Sequence, residues 1–430
     1  MAEELRADGS GAELGEVDRR LADPAFLVNS FSSRVVGLLH QAEAPAARLA
    51  AAVYRQSVDL HRQAGAAVRR QVLALDAARF GDRALAARIT AVAVPGEPAA
   101  PRAVTWATGA GVDHRFWPPQ EGHDGPSVGA HHAGHVTAVA TAVLDGRPLA
   151  VSGSEDGTVR CWDLSTGEPV GRPLTEPDGW VTALAIGTAA GRRVAVSGSH
   201  DGTVQVRDLA TGRTVGTPGT CGTGPVPAVV TAVLAGRPVA VAGGEDGSVR
   251  CWDLTTGEPV GEPLTGYTDR VTTVATAEFE GRPVVVTGSH DGTLRVRDLA
   301  SGRAVGGPLP ADRVEAVATA VLAGRPVAVA GGEDGTVRCW DLSTGEPVSE
   351  PLTGHDGRIR ALATTVLDGR PVAVSGGDDG TVRVWDLSGG RQLGRESVFP
   401  CGILRLATGP GGRVVAAFGH NLAVLARPSP

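Results

Sequence analysis

The chain contains no lysine, so all 40 of its basic side chains are arginine. That absence removes whole mechanisms. A P-loop needs the lysine that follows its glycines, a protein kinase needs the strand lysine that meets ATP phosphates, and a pyridoxal-phosphate enzyme needs a lysine for its Schiff base. Aromatic residues are scarce at 4%, methionine occurs once, and no apolar run is long enough to span a bilayer. The acidic start, MAEELRADGSGAELGEVDRR, lacks a basic stretch leading into an apolar one, so no secretory signal is visible and a cytoplasmic location is expected. The five cysteines are odd in number, and Cys161, Cys251 and Cys339 share one slot of a repeated phrase. They read as small core residues rather than a disulfide framework. A net charge of −7 argues against nucleic acid held by bulk electrostatics.

Glycine and proline are plentiful instead, at 60 and 29 residues of 430, and they punctuate a repeat. GSEDGTVRCWDL at Gly153 returns as GGEDGSVRCWDL at Gly243 and GGEDGTVRCWDL at Gly331. Aligned on the first apolar residue, the units start at Val136, Val181, Val226, Val271, Val314 and Ile359, in steps of 45, 45, 45, 43 and 45 residues. Twenty positions into each unit stands an Asp-Gly, at Asp156, Asp201, Asp246, Asp291, Asp334 and Asp379, and a second Asp follows seven residues later. Four β-favouring runs, such as VTAVATAVL, RPLAVSG, TVRCWDL and EPVGRPL, are separated by the tight-turn signals DGR, EDG and STG. A four-stranded sheet of this size cannot bury both faces alone. It must stack on copies of itself, and radial stacking gives a β-propeller.

These residues, Ser-Gly-Ser-x-Asp-Gly-Thr-Val followed by Trp-Asp-Leu, resemble the WD-repeat propeller family, in bacterial form, across residues 132 to 396. The resemblance implies a structural network of a connecting-loop His, a second-strand Ser or Thr, the turn Asp and the third-strand Trp. The Trp is present at Trp162, Trp252, Trp340 and Trp385, whereas Arg207 and Arg297 replace it in the second and fourth units. His132, His355 and, as a substitute, Tyr267 fill the His slot in only three units. The six turn aspartates and four tryptophans are therefore expected to be structural. The residue preceding each turn Asp has no such duty. Glu155, His200, Glu245, His290, Glu333 and Asp378 are expected to face solvent together and to dock a protein partner, as propellers of this family usually do on that face. Arg147, Arg192, Arg237, Arg282, Arg325 and Arg370 recur in the preceding turn and should ring the opposite end.

The last unit, residues 403 to 426, supplies only three strands, so the expectation is seven blades, the seventh closed by a strand from the N-terminal side near Ser127–His131. An eighth, degenerate blade is the alternative, because RAVTWATGAGVDHRFW at Arg102 aligns with RPLAVSGSEDGTVRCW and ITAVAV at Ile89 reads as a first strand. Upstream, Asp23-Pro24 and Pro45 are helix-start signals, and Val53, Val72, Leu73 and Leu75 recur at helical spacing. The division expected is a disordered acidic tail over 1–23, an α-helical domain over 24–88 and the propeller over 89–430. The helical part is similar to the spacer that precedes WD-repeat propellers in multidomain signalling NTPases.

Catalytic signals are few. GPSVG at Gly125 has the G-x-S-x-G form around Ser127, but the motif works on a strand-to-helix elbow, and here a proline precedes the serine and a strand follows. His123, Asp124, His131, His132 and His135 crowd one loop, where neutral imidazoles could take a metal. Two functions follow: a non-catalytic scaffold of a signalling or regulatory assembly, with no cofactor and no membrane or nucleic-acid partner, or a propeller enzyme acting on a small molecule at the central channel with a His-bound metal.

Overall fold

The computed structural model describes residues 15–100, 102–108, 132–175, 179–216, 219–222 and 224–427. The chain divides into two units, residues 1–100 and 101–430.

The first unit is helical: Glu16–Ala22, Pro24–Asn29, Ser32–Val36, Pro45–Gln56, Val58–Gln63, Ala66–Arg79 and Arg83–Thr90. Asp23 caps the second helix by accepting the Ala25 N–H at 2.9 Å, with Pro24 in the first turn, where a missing N–H costs nothing. Leu27, Val53, Tyr54, Val72, Leu73, Leu75 and Ile89 form the core. Two expectations are corrected. Glu16–Ala22 lies in the stretch expected to be disordered, yet it buries Leu21 and directs the Asp18 carboxylate to the Glu43 and Ala44 N–H groups at 2.9 and 3.2 Å. Ile89 sits in the last helix, so no strand starts there and the helical unit runs to residue 100 rather than 88.

In the second unit each repeat forms one antiparallel sheet. In blade 1 the inner strand Val136–Leu144 pairs with Arg147–Ser154, then Thr158–Asp163, then the outer strand Pro169–Thr175. Inner strands at Val181–Ala189, Ala228–Leu234, Val271–Phe279, Val314–Leu322, Ile359–Leu367 and Ile403–Gly409 begin blades 2 to 7. Each packs on the next, and the last returns to the first, so seven blades close a ring. The first hairpin of blade 1 turns through Asp145 and Gly146 at φ 50° and 78°, the two left-handed residues a type I′ turn requires. The outer run, expected as a strand in every unit, shrinks to two-residue pairs or isolated bridges beyond blade 1. Its Pro and Gly residues remove donors and stiffness, which also protects the exposed sheet edge from pairing with other chains.

Blades are joined by two repeated contacts. A Cβ on Gly243 would stand 2.6 Å from Cγ1 of Val271 in the next blade, so only glycine lets the second strand approach that closely. On the inner strands a threonine of one blade donates to the preceding blade: Thr408 to Thr364 O at 3.0 Å, Thr364 to Thr319 O at 2.7 Å, Thr319 to Thr276 O at 2.7 Å. The chain of bonds continues through Thr276, Thr231 and Ile186 O, and Thr141 donates to Thr408 O at 2.8 Å across the closure.

The seventh sheet completes itself with Ala103–Ala107, antiparallel to Asn421–Ala426. This corrects the expected closure: Ser127–His131 falls outside the described residues, and the outer place is already taken. The same strand disposes of the eighth blade, whose proposed second strand it was. Its Trp106 is buried and donates its indole N–H to Leu164 O of blade 1 at 3.0 Å, stapling the last blade to the first.

Candidate interaction face

In blades 1 and 6 the expected network is complete. Trp162 Nε1 donates to Ser152 Oγ at 2.8 Å, that oxygen lies 2.7 Å from His132 Nε2, and His132 Nδ1 lies 3.2 Å from Asp156 Oδ2. Trp385, Ser375, His355 and Asp379 repeat the chain at 2.7, 2.6 and 3.0 Å. The order Ser-His-Asp is that of a hydrolase triad. Ser152 and Ser375 are fully buried and already hold an indole, so neither hydroxyl can meet a substrate. Although burial opposes it, hydrogen bonds from His355 and Thr381 hold the Asp379 carboxyl down to about 2, and those from His132 and Thr158 lower Asp156 likewise.

All six turn aspartates accept the backbone N–H two residues on: Thr158, Thr203, Ser248, Thr293, Thr336 and Thr381, each at 2.9 or 3.0 Å. Such an Asx turn needs no histidine, which explains how blades 2, 3 and 5 keep the turn without one. In blades 3 and 5, where alanine takes the serine place, Arg250 and Arg338 pair with Asp246 and Asp334 at 2.9 and 2.6 Å. Trp252 and Trp340 remain buried. Where tryptophan is missing, Arg207 donates to Thr175 O at 2.8 Å and Arg297 to Thr265 O at 2.6 Å, with Tyr267 under the Arg297 guanidinium.

The residue before each turn Asp lies at the end of the ring where the blades are connected. His200 N–H bonds Trp180 O at 3.0 Å, His290 N–H bonds Arg270 O at 3.1 Å, and Asp378 N–H bonds Arg358 O at 2.9 Å, so each turn stands against the residue that opens an inner strand. Those residues were missed by the sequence reading, and they give the face its character. Arg313 and Arg358 meet Glu333 at 3.4 and 3.2 Å, Arg270 meets Glu245 at 4.0 Å, Arg360 meets Asp378, and Asp269 stands 3.7 Å from His290. Over blades 3 to 6 the expected acidic ring is thus a belt of alternating charge. On the other side, Trp180 is 51% exposed and stands edge-on to His200 with ring centroids 5.2 Å apart, while His135 stacks on His420 at 4.4 Å. The signal for Trp180 was a tryptophan outside every repeated slot.

At the opposite end Arg147, Arg192, Arg282 and Arg325 pair with the second Asp of their own blades, Asp163, Asp208, Asp298 and Asp341, at 3.0, 3.7, 3.7 and 2.8 Å. These guanidiniums brace the hairpins they stand on.

The WD domain, G-beta repeat family matches residues 126–163, 257–298, 312–341 and 345–386, each within one stretch of the repeat. With seven closed blades and the His-Ser-Asp-Trp network in place, these matches decide the family. The chain is a WD-repeat β-propeller. No curated protein matches it. Blade 7, outside those stretches, lacks the Asp-Gly turn, whereas the arginine for tryptophan in blade 2 recurs in matched blade 4, and the missing histidine and serine of blade 3 recur in matched blade 5. No helix among the described residues is long and apolar enough to cross a membrane.

A metal would find one set of ligands of the right kind among the described residues: His290, Glu315 and Glu333, whose ligand atoms lie within 4.8 Å of one another. Glu333 already holds two guanidiniums there. Of the His-rich loop, His123, Asp124 and His131 lie outside the described residues, as does Ser127, and His132 is committed to its blade.

Proposed function

We propose that this WD-repeat propeller is a non-catalytic scaffold of a cytoplasmic regulatory assembly, docking a protein partner on the face that carries the connecting loops. The observation that carries the reading is the exposed Trp180, held edge-on by His200 beside a belt of paired charges. Tryptophan is among the residues enriched at binding hot spots, and a rim of alternating charge gives orientation and partner choice more than raw affinity. Glu245, Glu333 and Asp378 belong to that rim with His290 among them, while Glu155 and His200 hold the same turn position on blades 1 and 2. The turn aspartates and buried tryptophans beneath hold the blades in shape. Full-length protein with Trp180→Ala, compared with wild type and with Arg147→Ala at the opposite end, tests the proposal by co-purification from the native host. The partner should be lost from the Trp180 variant and retained by the Arg147 variant; the reverse pattern moves docking to the arginine end.

A further inference from the structure

The repeat marks where its own ring is broken. Two positions into each inner strand stands a small residue, Ala or Thr, in six blades, and Arg405 in the seventh. One position earlier, Thr137, Thr182 and Thr272 bridge carbonyls of neighbouring blades, whereas blades 5 and 6 carry Glu315 and Arg360. Blade 3 carries the uncharged Pro227 there, but the charged departures, Glu315, Arg360 and Arg405, gather on adjacent blades at one side of the channel mouth.

Arg405 lines both the axial cavity of about 190 Å³ and a second cavity of about 450 Å³ at the mouth, where His135, Glu155, Arg360 and Asp378 also stand. Its Nη1 donates to Leu404 O at 2.7 Å, and among the described residues no carboxylate lies within ion-pair distance of its guanidinium. Asp378, which lines the mouth cavity with Arg405, is engaged by Arg360 and Arg358. Burial and the neighbouring Arg360 charge press the Arg405 pKa down, and the Glu315 charge opposes them. A half-buried cation with no carboxylate in direct contact is costly to keep, and the cost is relieved when an anion arrives.

We propose that this mouth cavity binds a carboxylate group, its two oxygens taken by the fork of Arg405. A guanidinium matches a planar carboxylate in geometry. Charge selects carboxylate over phosphate: one cation lacks a direct ion-pair partner, and Glu155 and Asp378 at the rim, with Glu315 on the axial wall, oppose a second negative charge. The group could arrive on a free organic acid or on an acidic side chain of a bound protein, and a cavity of this size admits either. Glu155 and Asp378 also belong to the proposed docking rim, so the protein-borne source rests on that reading and the free acid does not.

The test titrates the full-length protein with glutarate by calorimetry, with a fluorescein-labelled hexaglutamate peptide by polarisation, and with inorganic phosphate. Wild type should bind at least one carboxylate probe. Glutarate binding identifies a free acid as the source, and binding of the peptide alone identifies a protein-borne one. Arg405→Met should weaken binding at least tenfold, Arg147→Met should leave it unchanged, and Glu155→Gln, which leaves the guanidinium and the strand in place, should tighten it severalfold. The proposal is overturned if neither carboxylate probe binds, if phosphate binds more tightly than both, if Arg405→Met binds as wild type does, or if Glu155→Gln fails to tighten binding.

Discussion

His61 and Asp76 are two buried ionisable side chains of the helical unit that answer pH in opposite directions. His61 lies beside Tyr54, and among the described residues neither ring nitrogen has a hydrogen-bond partner; burial, with the Arg69 charge, pushes it down from 6.5 to about 4. Burial pushes Asp76 up from 3.8 to about 6, against the pull of Arg79 at 3.1 Å. Between pH 6.5 and 4 the unfolded chain takes a proton at His61 that the folded chain refuses, so acidification destabilises. Between pH 6 and 3.8 the folded chain takes a proton at Asp76 that the unfolded chain does not, so acidification stabilises. Each term is worth roughly 3 kcal/mol at full extent, and across their shared window they cancel. The helical transition, followed by circular dichroism at about 222 nm, should therefore melt at nearly constant temperature from about pH 6 to 4. His61→Phe should melt higher as pH falls through that window, and Asp76→Asn lower. A second prediction concerns Ala190, Ala235 and Ala323, held at φ 48–49° in their hairpins. An alanine pays roughly 1–2 kcal/mol there that asparagine largely avoids, so the triple Asn variant should unfold at higher denaturant with additive single effects.

At the scale of the element, the inner strands are held by the threonine relay as well as by packing. Replacing Thr319 by the isosteric valine removes its bond to Thr276 O while Thr364 still donates to Thr319 O. The expected loss is about 1 kcal/mol by urea unfolding, with the fold retained. The closing strand makes a stronger demand. Trp106→Ala removes the indole that spans blade 7 and Leu164 of blade 1, and should cost about 3–5 kcal/mol and expose an edge that aggregates. An equally stable monomer by light scattering would refute closure by that strand. Both features show what the sequence could and could not disclose. The period, the Asp-Gly turns and the missing fourth strand of the last unit were legible because each repeats or breaks a fixed register. The identity of the closing strand was not, because Ala103–Ala107 aligns with the second strand of a repeat unit and so pointed to an eighth blade, while the closing role was given to Ser127–His131. The helix at Glu16–Ala22 was hidden within the acidic start of the chain, since its anchors, Leu21 and the Asp18 carboxylate, make no apolar period.

For the whole molecule, repetition and departure from repetition divide the labour. The turn aspartates, the inter-blade glycines and the arginines of the hairpin end recur because every blade must solve the same packing problem. The residues before the turn aspartates could be placed on one end from the turn register alone. Their setting could not, because Trp180, Arg270, Arg313 and Arg358 occupy a position where no two adjacent chemistries need match. The departures therefore gather on the face with the connecting loops, which is where a scaffold can differ without losing its ring. Hydrogen–deuterium exchange of the full-length chain, with and without the partner that co-purifies with it, tests this most directly. Docking on this face predicts protection at residues 132–135, 179–180, 200–201 and 355–358, with the hairpins at 145–146 and 190–191 unchanged. Protection of those hairpins, with no change around Trp180, would contradict it.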